Sequence, residues 1–102
     1  MTSEKRVTKN KEKLDNLCIE YCKLEEEKRQ YYSKNYWEDD LSSHTIQTLF
    51  LMQIGIDQLV RKIVKSVDWF IRNDADHDNE CATLVYNYYA PMLHRGLDCL
   101  TV

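Results

Sequence analysis

A chain of 102 residues with 2 glycines and 1 proline lacks the turn residues that sheets and barrels need at frequent intervals, which excludes an all-β fold. Its length suits a single domain over residues 1–102. Its net charge of −3 and pI near 5.6 exclude nucleic-acid binding through the whole surface, because phosphate binding needs clustered Lys and Arg.

The start of the chain runs against that balance. Lys5, Arg6, Lys9, Lys11 and Lys13 stand beside only Glu4 and Glu12. Charge runs at termini are solvated, so residues 1–8 read as a frayed arm. The sharper reading is a basic arm that touches an acidic partner. No apolar stretch follows these charges, so no signal peptide is expected.

A first helix is predicted over residues 8–33, with Leu14, Leu17, Cys18, Tyr21, Cys22, Leu24, Tyr31 and Tyr32 on its apolar face. The connection over residues 33–43 is polar and acidic, and Asp40, Ser42 or Ser43 can cap the next helix. Tyr31, Tyr32, Tyr36 and Trp37 cluster there beside Glu38, Asp39 and Asp40. Tyr and Trp bury area while keeping a polar tip, so this cluster reads as a partner-binding edge with a charged rim.

The second helix, over residues 45–72, is the most apolar segment. In its first half the apolar residues go nearly all the way round, and such a helix must be covered on every side. Leu49, Leu51, Met52 and Ile54 point in several directions, and one small bundle covers only some of them. They read as an oligomer interface. In the second half Asp57, Arg61, Lys65, Asp68 and Arg72 form a polar stripe that faces water. Gln53, Asp57 and Gln58 interrupt the apolar run, which falls short of a membrane span.

Asn73, Asp74 and Asp76 favour a turn. A third helix is expected from Asp76 or Asp78, with Cys81, Leu84, Val85, Tyr88, Tyr89, Met92 and Leu93 toward the core. Tyr86 lies off that face and reads as a further partner contact. Pro91 is expected to kink the helix or split off a last turn, and Gly96 to end it. Both connections are short, so the fold expected is all-α, an up-down-up bundle of three main helices.

The four cysteines, Cys18, Cys22, Cys81 and Cys99, read as free packing residues in a reducing compartment. Cys18, Cys22, His77 and Cys81 make a tetrahedral zinc set only if the first and third helices lie level, and their spacing is no zinc signature. No metal and no cofactor is expected.

The segment Arg72, Asn73, Asp74, Ala75, Asp76, His77 carries one further pattern. An Arg, a polar residue and a His a few positions on, at the end of a late helix, resembles the motif of the HEPN family of helical-bundle proteins. Many members of that family are metal-independent ribonucleases of toxin and antiviral systems. The resemblance implies a site shared across a dimer, with His77 as acid or base and Arg72 holding the phosphate.

The primary functional expectation is a small non-enzymatic, cytoplasmic helical protein that self-associates and binds another, unidentified protein. An inhibitor, an immunity factor and a chaperone-like adaptor all fit this description. No membrane contact is expected. Nucleic acid enters only in the alternative, a HEPN-like ribonuclease or an inactive relative.

Overall fold

The computed structural model describes residues 4–35 and 43–100, with side chains through Arg95. The described residues form three helices and no strand: α1 (Glu4–Asn35), α2 (Ser43–Arg72) and α3 (Glu80–Leu100). The all-helical bundle expected from composition is what forms. Among the described residues no helix is long and apolar enough to cross a membrane.

α1 starts at Glu4, ahead of the start that its apolar periodicity suggests, so the basic segment is helical from there. Glu4 places an acid in the first turn, where the helix dipole favours one, and the Thr8 hydroxyl donates to the Glu4 carbonyl at 2.9 Å.

The core is built on the second half of α2. Ile56, Val60, Ile63, Val64, Val67 and Phe70 recur at helical spacing and are buried. α1 contributes Leu14 and Cys18, and α3 contributes Ala82, Val85 and Ala90. Leu17, Tyr21 and Leu24 of α1 close the flank of this cluster.

α2 ends in a defined cap. The Ala75 N–H donates to the Phe70 carbonyl at 2.9 Å and the Asp74 N–H to the Ile71 carbonyl at 3.2 Å. These are the paired bonds of a Schellman motif, with Asp74 in the left-handed position at φ 50°. Ala75 then packs onto the core, the apolar contact that usually accompanies such a cap. The Asn73 side chain adds a bond to the Trp69 carbonyl at 2.7 Å.

α3 begins later than Asp76 or Asp78. Its cap is Asn79, whose Oδ1 accepts the Ala82 N–H at 2.9 Å. The Asn79 amide donates in turn to Asp15 on α1 at 2.7 Å, so the cap also fixes the helix to its neighbour. Lys11 and Asp78 add an ion pair at 3.4 Å. The helix runs through Pro91 and past Gly96 to Leu100, without the split or the stop expected from those residues. Glycine ends a helix by taking positive φ, and no described glycine does so.

The buried face of α3 is also turned relative to the expectation. Leu84, Tyr88 and Met92, expected in the core, are 70%, 63% and 51% exposed. The face that packs is Ala82, Val85, Tyr86, Tyr89, Ala90 and Leu93. Ala82 and Ala90 are buried in the cluster, so small residues share the packed face while Leu84, Tyr88 and Met92 are left outside. Tyr86 therefore lies on the packed side, where burial first and a hydrogen bond to Asp68 second raise its pKa.

Candidate functional site

The first half of α2 differs from the second in what covers it. The described core cluster contains no α2 residue before Ile56. The tertiary contacts of this half include the later part of α1. Gly55 sits beside Leu24, and Lys28 Nζ donates to Gln53 Oε1. Gln53 also donates to Asp57 at 2.8 Å, so the polar residue that interrupts the apolar run is fully engaged.

One face of this half stays open. Ile46, Phe50 and Ile54, spaced i, i+4, i+8, are 55%, 66% and 40% exposed, and Leu51 beside them is 61% exposed. They form a row about 12 Å long, at 1.5 Å rise per residue. Four such side chains expose an apolar patch on the order of 300 Å², the size that marks interaction sites on otherwise polar surfaces.

Of the four interface residues expected, Leu51 and Ile54 belong to this row, while Leu49 and Met52 turn inward and are half-buried. Ile46 and Phe50 extend the row beyond the four residues expected. Their i, i+4, i+8 relation to Ile54 is the signal that groups them. A second exposed apolar row, Leu84, Tyr88 and Met92, has the same spacing on α3. There the Tyr88 ring stands edge-on to Tyr89, with centroids 4.8 Å apart.

The aromatic edge is only partly within the described residues. Tyr31 is half-buried, and its carbonyl accepts the Asn35 amide at 2.8 Å. Tyr32 is exposed. Tyr36, Trp37 and the acidic run Glu38, Asp39 and Asp40 lie outside the described residues. Tyr86, on the packed side of α3, is not a free contact point.

Arg72 and His77 are placed differently from each other. Arg72 is exposed at the end of α2 and lines a groove against α1. His77 is half-buried, with its ring 5.5 Å from that of Phe70. Its Nδ1 is buried with no hydrogen-bond partner among the described residues. His77 does not line the groove that holds Arg72.

Three thiols meet between α1 and α3. Cys22 Sγ lies 3.9 Å from Cys81 Sγ, and Cys18 is buried beside them. Burial first, then the neighbouring Cys81, pushes the Cys18 pKa up to about 12, and burial likewise raises that of Cys81. Cys18 and Cys81 are therefore neutral thiols rather than activated nucleophiles. His77, turned to Phe70, does not complete a zinc set with them, and no group of three or more ligand side chains among the described residues could hold a metal ion.

No protein-family model, curated protein or solved structure matches the chain.

Proposed function

We propose that this is a non-enzymatic cytoplasmic protein, an up-down-up three-helix bundle that self-associates through the first half of α2 and binds another protein to regulate it. The observation that carries the reading is the row Ile46, Phe50, Leu51 and Ile54, large apolar side chains that the chain itself leaves in solvent. The occupant of this row is a second copy of the chain. A flat apolar row on one helix is self-complementary about a two-fold axis, the commonest symmetry of homo-oligomers.

The helix order is supported by which residues pair. On α1, Leu24 and Lys28 lie against Gly55 and Gln53 in descending order on α2. Asp15 and Cys22 lie against the cap Asn79 and then Cys81 of α3, in ascending order. The α3 row of Leu84, Tyr88 and Met92 supports the second half of the proposal. It stands on a different helix, so it stays available to a partner protein once the α2 row is paired. Tyr32 supplies a further aromatic contact at the end of α1.

The test is multi-angle light scattering over a concentration series. An oligomer is expected, and the Leu51→Lys variant is expected to run as a monomer with its helix content intact. A strict monomer at millimolar concentration would sink the proposal.

A further inference from the structure

Charge is not spread evenly over this acidic chain. A groove of about 1050 Å³ runs between the first part of α1 and the last part of α2. Arg6, Lys9 and Lys13 line it from α1, and Lys62, Lys65 and Arg72 line it from α2. Only two carboxylates, Glu12 and Glu20, enter the lining, in a chain whose net charge is −3. Lys9, Lys13, Lys62, Lys65 and Arg72 form no ion pair among the described residues. Their charge is therefore not neutralised within the chain, and it is concentrated where low-dielectric walls focus it.

We infer that this groove binds the phosphodiester backbone of a single-stranded nucleic acid. Cations recur every three or four residues along the α1 wall and from Lys62 to Lys65 on the α2 wall, which is about 4.5–6 Å along a helix, and Arg72 follows about 10 Å further on. The α2 wall from Lys62 to Arg72 is about 15 Å long. With six cations on its two walls, the groove can engage about four phosphates of a strand. Trp69 lies half-buried in the same lining, its ring standing edge-on to Phe70 at 5.0 Å and 89°. The core holds it from one side, so it meets the groove as a rigid aromatic surface, the element on which unpaired bases stack. Asn10, Asn16 and Ser66 supply neutral donors for phosphate oxygens.

An acidic protein segment is the competing occupant, and the lining disfavours it. Protein interfaces draw their affinity from several buried apolar anchors. Here the apolar side chains are Leu17 and Trp69 alone, against six cations. The groove uses the half of α2 opposite to the proposed self-association row, so neither inference depends on the other. No bond is broken in this binding step.

The test is fluorescence anisotropy of 15-nucleotide oligothymidylate and oligouridylate carrying fluorescein, titrated with the full chain. Binding of either probe in the micromolar range is expected at 50 mM salt, the usual range for contacts to backbone alone. The slope of log K against log salt is expected near −3, from about 0.7 per neutralised phosphate and about four phosphates. The double variant Lys62→Gln, Lys65→Gln should weaken binding at least tenfold and flatten the slope by about 1.4. In a Trp37→Phe background, Trp69 fluorescence should be quenched as the oligonucleotide binds. Leu51→Lys should bind as the parent does.

Three outcomes would overturn the inference. The first is no anisotropy change at 100 µM protein. The second is undiminished binding by a double variant whose circular dichroism is native. The third is displacement by poly-glutamate of equal charge as effectively as by unlabelled oligonucleotide, which would assign the groove to an acidic polypeptide.

Discussion

The two halves of α2 have similar apolar content but opposite fates. From Ile56 to Phe70 the helix has α1 on one side and α3 on another, and its aliphatic side chains and Phe70 are buried. From Thr45 to Ile54 the helix adds no residue to the core cluster, and Ile46, Phe50, Leu51 and Ile54 remain in water. α3 is the shorter helix and its packed residues meet the later half of α2. Burial thus follows from which neighbours reach a segment, not from how hydrophobic the segment is. A stretch that is hydrophobic beyond the reach of its own chain is available to another.

The largest test of this contrast substitutes one phenylalanine in each half. Phe70→Ala, at a fully buried site, should cost about 3–5 kcal/mol in urea denaturation. Phe50→Ala, measured at a concentration where the chain is monomeric, should cost less than about 0.5 kcal/mol, as surface substitutions do. Equal losses would erase the distinction between the halves. Next in size is Leu51→Lys, which should weaken self-association at least tenfold in light scattering, a loss of about 1.4 kcal/mol or more. Met52→Lys would confound that test, because its side chain is already half-buried within the chain.

Gly55→Ala sharpens the comparison at the boundary between the halves. A Cβ there would lie 3.9 Å from Leu24 Cδ1, an ordinary van der Waals contact. The helix propensity of alanine should then stabilise the protein by about 1 kcal/mol, read as a higher urea midpoint. Loss of stability would mean that the two helices approach more closely there than the geometry shows. At the far end of α2, Asp74 holds a left-handed conformation that costs side-chain-bearing residues free energy. Asp74→Gly should gain about 0.5–1 kcal/mol, and a smaller gain would show that the Asp side chain contributes to the turn.

The smallest expected effect is zero. No ribonuclease activity is expected from Arg72 and His77, since His77 leans on Phe70 and Asp74, Asp76 and Asp78 surround it in sequence with like charge to phosphate. Cleavage of single-stranded RNA that persists in chelator and disappears in both Arg72→Ala and His77→Ala would restore the HEPN reading.

The helices were legible because scarcity of Gly and Pro and apolar spacing act over many residues. The α3 face was not. Reading the large residues Leu84, Tyr88 and Met92 as core ignored Ala82 and Ala90, small residues that are buried on the packed face. The Asn79 cap was missed because aspartates at 76 and 78 offer equivalent cap chemistry, and only the partnership with Asp15 selects Asn79. The interface was half legible. Periodicity flags excess hydrophobicity, but which member of each turn faces α1 depends on the rotation of α2. The basic groove was hidden for a further reason, that Lys9 and Lys62 become neighbours only after α1 and α2 have packed.

The proximity of Cys22 and Cys81 has a topological consequence. Rotation of these side chains across the 3.9 Å gap, with a disulfide oxidant such as oxidised glutathione accepting the two electrons, would join α1 to α3 covalently. The later part of α1, all of α2 and the start of α3 would then belong to one closed loop of about 60 residues, a closure whose entropic effect is on the order of 4 kcal/mol. In such a ring the outer helices could no longer separate, while the uncovered end of α2 would keep its freedom to meet another molecule.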